Sequence, residues 1–121
     1  LGLNATVYTT KRKIAADSFF TGLFETALED GEIITKIEFP VAKRAGYEKI
    51  RNPASRYAMV GVFVAETADG VRVAVTGAGP CVFRHKEMEA ALSKSFSPDA
   101  LKGIKTEVRI PAKTGTDWWD E

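Results

Sequence analysis

Apolar and polar residues alternate in short runs along most of the chain, and Gly, Pro, Asn or Asp separates one run from the next; this predicts strands joined by tight turns. Ala5 to Thr10 is β-branched and aromatic, and a polar Lys11-Arg12-Lys13 turn leads into a shorter strand at Ile14-Ala15-Ala16. That basic triplet reads as a solvated hairpin tip. Asp17 is placed to cap a short helical turn through Ser18 to Phe24, with Phe19, Phe20, Leu23 and Phe24 as core. After the Glu29-Asp30-Gly31 turn, Glu32 to Phe39 puts Ile33, Thr35, Ile37 and Phe39 on one face and Ile34, Lys36 and Glu38 on the other, and Pro40 ends the strand.

The second half repeats the pattern more strongly. Tyr47, Lys49 and Arg51 alternate before the turn Asn52-Pro53-Ala54-Ser55-Arg56-Tyr57, and the apolar run Ala58 to Ala65 follows at once. Cations and an aromatic thus stand at the lip of a strand, a place where binding residues are commonly held. The same residues also read as a plain turn with Tyr57 at the edge of the core. Asp69-Gly70 lies between two apolar runs, Met59 to Thr67 and Val71 to Thr76, and predicts an antiparallel hairpin. Gly77-Ala78-Gly79-Pro80 lacks the spacing of a phosphate loop and reads as a bend. Met88, Ala91 and Leu92 fall at helical spacing, and Ser97-Pro98-Asp99 begins a short helix with Leu101 and Ile104 inward. The fold class is α+β: an antiparallel sheet containing the Asp69-Gly70 hairpin, backed by two or three helices. Val41 to Gly46 is the expected boundary, dividing the chain into 1–40 and 41–121.

Composition narrows the functions. With 17 basic and 16 acidic residues the formal charge is +1, so no global field favours nucleic acid or an anionic membrane. The single cysteine, Cys81, and single histidine, His85, do not make a metal set or a catalytic triad, and no apolar run reaches a membrane span. A cytoplasmic setting is expected. The start without Met, directly in strand-like sequence, suggests a piece of a longer polypeptide.

Three segments together are more specific. Ile14 to Gly22, then Glu32 to Pro40, then Tyr47-Glu48-Lys49-Ile50-Arg51-Asn52-Pro53-Ala54-Ser55-Arg56-Tyr57-Ala58 resemble the FAD-binding medium subunit of the carbon monoxide dehydrogenase and xanthine dehydrogenase family. The resemblance continues through Thr76 to Pro80 and Glu89-Ala90-Ala91-Leu92, and so covers roughly Ala5 to Ile110. It implies that residues 1–40 are the end of the FAD-binding domain and 41–121 the flavoprotein C-terminal α+β domain. In that family electrons pass from a molybdopterin centre on a large subunit, through iron–sulfur clusters on a small subunit, to FAD on the medium subunit. The resemblance therefore implies an oxidoreductase subunit in a hetero-oligomer, with FAD as its cofactor and the molybdopterin and [2Fe-2S] groups on its partners.

Carried over residue by residue, the resemblance makes Ile34 a strand contact to FAD, Arg51 a basic group beside the flavin, and Tyr57 an aromatic packed near the isoalloxazine. Lys49 and Arg56 are weaker candidates on the same loop. An aromatic can stack on a flavin, and a nearby cation favours its anionic reduced form. The family's glycine-rich pyrophosphate loops belong upstream of Leu1, so this chain is expected to bind FAD weakly alone. The sequence from Pro111 to Glu121, with Trp118-Trp119, departs from the family's closing helix. The alternative reading is a module that docks the other subunits without touching flavin.

Overall fold

The structure is a computed structural model and describes residues 1–106. The N-terminal part contains β1 (Thr6–Thr9), β2 (Lys13–Ala15), the one-turn helix α1 (Ala16–Phe19), the small strands β3 (Phe20–Gly22) and β4 (Glu25–Thr26), and β5 (Ile34–Glu38). β1 pairs antiparallel with both β2 and β5, giving the order β2-β1-β5, while β3 and β4 form a separate ribbon. Val7 stands opposite Ile14 on one side and Ile37 on the other. Val7, Ile14 and Phe19 form a small core with Ala27 and Leu28 packed on it.

The second part holds β6 (Arg44–Arg51), β7 (Ala58–Thr67), β8 (Gly70–Thr76), β9 (Phe83–Arg84), α2 (Lys86–Lys94) and a 3-10 turn, Pro98–Leu101. The strands make one antiparallel sheet in chain order. Val60, Val62, Val64, Val71, Val73, Val75 and Phe83 project from one face onto Leu92, Met88 and Leu101, and this is the main core. Each fully buried aliphatic side chain there contributes about 1.5–3 kcal/mol. The Asp69-Gly70 turn forms as expected, with Gly70 at a φ of 117° that L-residues rarely adopt. The fold is α+β, with α2 and the 3-10 turn behind the four-stranded sheet. The strands before Arg44 form the separate three-stranded sheet and the two-stranded ribbon.

Several local expectations are corrected. Ala15, not Asp17, occupies the cap of α1 and makes no side-chain capping bond; the Asp17 carboxylate points to two arginines of the other sheet. Of the four apolar residues assigned to the core around α1, only Phe19 is buried; Phe24 is 99% exposed, because the β3–β4 ribbon lays its side chains outward. Arg12 is not a free charge at a hairpin tip. It holds both carboxylate oxygens of Glu32 at 3.0 Å, and its Nη2 also donates to the Ala27 carbonyl. The tail from Pro111 to Glu121 lies outside the described residues.

Candidate functional site

The β6–β7 hairpin carries most of the predicted site. Its turn is built from local sequence chemistry. Asn52 Oδ1 accepts the Ala54 and Ser55 N–H groups at 2.9 and 3.2 Å, a side-chain turn typical of Asn before Pro. The Arg56 N–H donates to the Asn52 carbonyl at 2.9 Å, and the Asn52 N–H to the Tyr57 carbonyl at 2.8 Å. Arg56 adopts a φ of 62°, which closes the loop back onto β7. A loop fixed by its own backbone bonds loses little entropy when a ligand arrives.

On this frame Arg51 and Arg56 are exposed, Lys49 is half-buried opposite Gly61, and Tyr57 is 79% exposed. Tyr57 is therefore not a core-edge aromatic. None of the three cations takes part in an ion pair found among the described residues. The hairpin thus offers uncompensated positive charge beside an accessible aromatic face, a combination suited to a planar, anionic ligand.

Gly77 braces the hairpin from β8. Its φ is 78°, and a Cβ there would sit 2.0 Å from the Met59 carbonyl oxygen, so the bend at Gly77 to Pro80 packs backbone against backbone at the start of β7. Ile34 stands elsewhere. It is on β5, an edge strand of the other sheet, opposite Thr9 and among the exposed side chains of Ile33, Ile37 and Phe39. The structure brings Lys49, Arg51, Arg56 and Tyr57 together on one hairpin and leaves Ile34 on a separate sheet.

The sequence reading missed two charged clusters. In the first, Arg72 lies inside the apolar run of β8 with 7% of its side chain exposed, and its Nη2 pairs with Asp17 Oδ1. Arg84 Nη1 binds Asp17 Oδ2 at 3.0 Å, while Arg84 Nε and Nη2 bind the two Glu89 oxygens at 2.7 Å each. Glu89 Oε1 also accepts the Val73 N–H at 3.0 Å. Burial pushes the Glu89 carboxyl up, but the Arg84 guanidinium and the Val73 N–H outweigh it, and the group is held below the usual carboxylate range. The signal available in sequence was Arg72 itself, a charge flanked by valines that needs a partner when buried.

In the second cluster the Glu32 side chain is out of solvent and its carboxyl is lowered to about 2, first by the Arg12 guanidinium, then by the Thr9 hydroxyl and the Glu29 N–H. Both clusters are saturated within the protein. They fit structural roles, and no buried side-chain polar atom among the described residues lacks a partner. His85 caps α2, its Nδ1 accepting the Met88 N–H at 3.3 Å, and no metal-ligand cluster occurs among the described residues. Among the same residues no helix is long and apolar enough to cross a membrane.

No protein-family model matches the chain. It is 31% identical over 118 residues to the glyceraldehyde dehydrogenase medium chain of Sulfolobus acidocaldarius, covering 88% of this chain and 42% of that one. It is 30% identical over 101 residues to the carbon monoxide dehydrogenase medium chain of Hydrogenophaga pseudoflava, covering 76% of this chain and 35% of the relative. It therefore spans less than half the length of either curated relative. Its fold matches a carbon monoxide dehydrogenase of Hydrogenophaga pseudoflava that lacks the Mo-pyranopterin moiety of its molybdenum cofactor. That match has a TM-score of 0.70 and 29% identity, over 83% of this chain and 39% of the other. Quinoline 2-oxidoreductase of Pseudomonas putida 86 shares the fold at a TM-score of 0.64 and 22% identity, over 75% of this chain and 35% of that one. Sequence and fold agree: over the matched segment this chain is similar to the medium chains of carbon monoxide dehydrogenase and glyceraldehyde dehydrogenase.

Proposed function

We propose that this chain is part of the FAD-binding electron-transfer subunit of a molybdenum hydroxylase, with residues 1–40 ending the flavin-binding domain and residues 41–121 forming the C-terminal domain. The observation that carries the reading is the β6–β7 hairpin: a self-braced turn presenting Tyr57, Arg51 and Arg56, the two arginines without an ion-pair partner among the described residues. These residues fit a flavin. Tyr57 would cover part of the ring, Arg51 and Arg56 would face its negative charge, and Lys49 would support them from the strand. Ile34 would contribute an apolar contact from the neighbouring sheet. When bound, FAD supplies the electron-transfer chemistry, accepting electrons from iron–sulfur and molybdopterin subunits and passing them to an acceptor. The protein's part is to hold, orient and electrostatically bias the cofactor in a cytoplasmic hetero-oligomer.

A second reading has its own support. Ile33, Ile37, Phe39 and Val41 are all exposed along and just beyond the edge strand β5, which favours a subunit-docking surface. The test is a flavin-fluorescence titration of this chain, and of the Hydrogenophaga medium chain with its matching segment exchanged for this one. Each is measured with and without Tyr57→Ala plus Arg51→Ala, and circular dichroism reports folding. Weaker binding or a shifted flavin potential in the double variant supports the flavin reading. Equal binding with an unchanged potential overturns it in favour of docking.

A further inference from the structure

The two sheets meet along one seam. A cleft of about 720 Å³ lies between the β3–β4 ribbon and the face of the four-stranded sheet, and a smaller one of about 400 Å³ lies beside Asp17 and Arg84. Leu1, Phe20, Cys81 and Val82 line both. Each side of the seam has its own apolar core, one around Val7, Ile14 and Phe19 and the other around Val73, Val75 and Leu92. Hydrophobic burial therefore stabilises each side separately.

Apolar residues line the seam and Gly2 lies against the Phe63 ring, but the charged contacts across it converge on one carboxylate. Among the described residues, every ion pair between 1–40 and 44–106 uses Asp17, which bridges Arg72 of β8 and Arg84 of β9. The remaining polar contacts across the seam are weaker or fewer: Arg72 Nε to the Leu1 carbonyl at 3.0 Å, Asn4 to Asp69 at 3.4 Å, and Cys81 Sγ to the Phe20 carbonyl at 3.9 Å. Arg84 would keep Glu89 if Asp17 were lost. Arg72 would not keep any carboxylate, since Asp17 is its sole ion-pair partner among the described residues. A guanidinium left out of water without a counter-charge is costly, and the nearest relief is for α1 to lift away and admit water.

We propose that Asp17 is an ionic clasp, holding the N-terminal sheet closed on the four-stranded sheet through Arg72 and Arg84, and that neutralising it opens the seam while both sheets stay folded. This goes beyond the flavin reading and does not depend on it. Cys81, the chain's one cysteine, lines the seam and serves as reporter. The experiment is the rate of maleimide labelling of Cys81 across sub-denaturing urea, in the unaltered chain, in Asp17→Asn, in Asp17→Asn with Arg72→Met, and in Leu92→Ala. Leu92→Ala loosens the α2 side of the main core, away from the seam.

Asp17→Asn is expected to raise labelling without urea by about tenfold, with an increment flat in urea because a local opening exposes little surface. Adding Arg72→Met should return the rate to within about threefold of the unaltered chain, since no unpaired charge remains. Leu92→Ala should leave the rate without urea unchanged. The proposal is overturned if Asp17→Asn labels at the original rate, if its increase follows urea with the slope of global unfolding, or if the variant has no folded state. It is also overturned if Arg72→Met fails to restore protection.

Discussion

Replacing Gly77 with alanine separates two costs that usually come together. At a φ of 78° any L-residue carries left-handed strain of about 1–2 kcal/mol, offset in part by about 0.4–1 kcal/mol of lost freedom in the unfolded chain. Gly103, at a φ of 86°, would incur the same strain, but nothing lies within 4 Å of its added Cβ. At Gly77 the added atom meets the Met59 carbonyl oxygen at 2.0 Å, with Met59 C and Val60 Cα at 3.0 and 3.2 Å. All three are backbone atoms, so no rotamer relieves the clash. Either the bend or the start of β7 must move by about an ångström, which places the total near ~3 kcal/mol against ~1 kcal/mol or less for Gly103→Ala. At roughly 3–6 °C per kcal/mol for a chain of this size, thermal melts should fall by at least about 9 °C for Gly77→Ala and by no more than about 6 °C for Gly103→Ala. Met59 is two residues beyond Tyr57, so the displacement also reaches the hairpin, and flavin affinity of the exchanged medium chain should drop with Gly77→Ala alone. Equal melting losses for the two alanines would refute the close approach, and with it the bracing of the hairpin by the Gly77 bend.

Other expectations follow from the charged clusters and the hairpin. The Glu32 carboxyl is lowered to about 2 from an ordinary 4.5, so its contribution to stability is complete above the ordinary value and lost as pH falls from there toward 2. Melting temperature should decline over that window in the unaltered chain, and Glu32→Gln should start lower at neutral pH and flatten the decline; parallel curves would contradict the assignment. Glu89→Ala removes the acceptor of the Val73 N–H and leaves Arg84 with Asp17 as its one carboxylate among the described residues, a loss of about 2–4 kcal/mol once the partial exposure of Arg84 is allowed for. Amide exchange at Val73 should accelerate accordingly, and unchanged protection would count against it. Tyr57→Ala, at a residue mostly in solvent, should shift the melt by under about 0.5 kcal/mol equivalent; a large loss would mean that the ring is structural.

What the sequence made legible is what short-range rules determine. Asp69-Gly70 between apolar runs announces its own hairpin, and Asn52-Pro53 with Ser55 closes a turn through bonds no more than a few residues long. Alternation then places Val71, Val73 and Val75 on one face, and a helix with Met88 and Leu92 on one side has an obvious place to pack. The misreadings share a cause. Asp17 has the chemistry of a helix cap, and only the fold reveals a partner 55 residues away in sequence. Arg12 sits in a basic triplet at a turn, yet a carboxylate 20 residues on captures it. Phe24 is aromatic and exposed, because burial attracts apolar residues without requiring every one of them. Ile34 and Tyr57 show the limit from the other direction: one resemblance links them, but they stand on different sheets, and whether they serve one ligand depends on how those sheets are held together. That relation rests on Asp17, Arg72 and Arg84, three charges whose meaning no window of sequence contains.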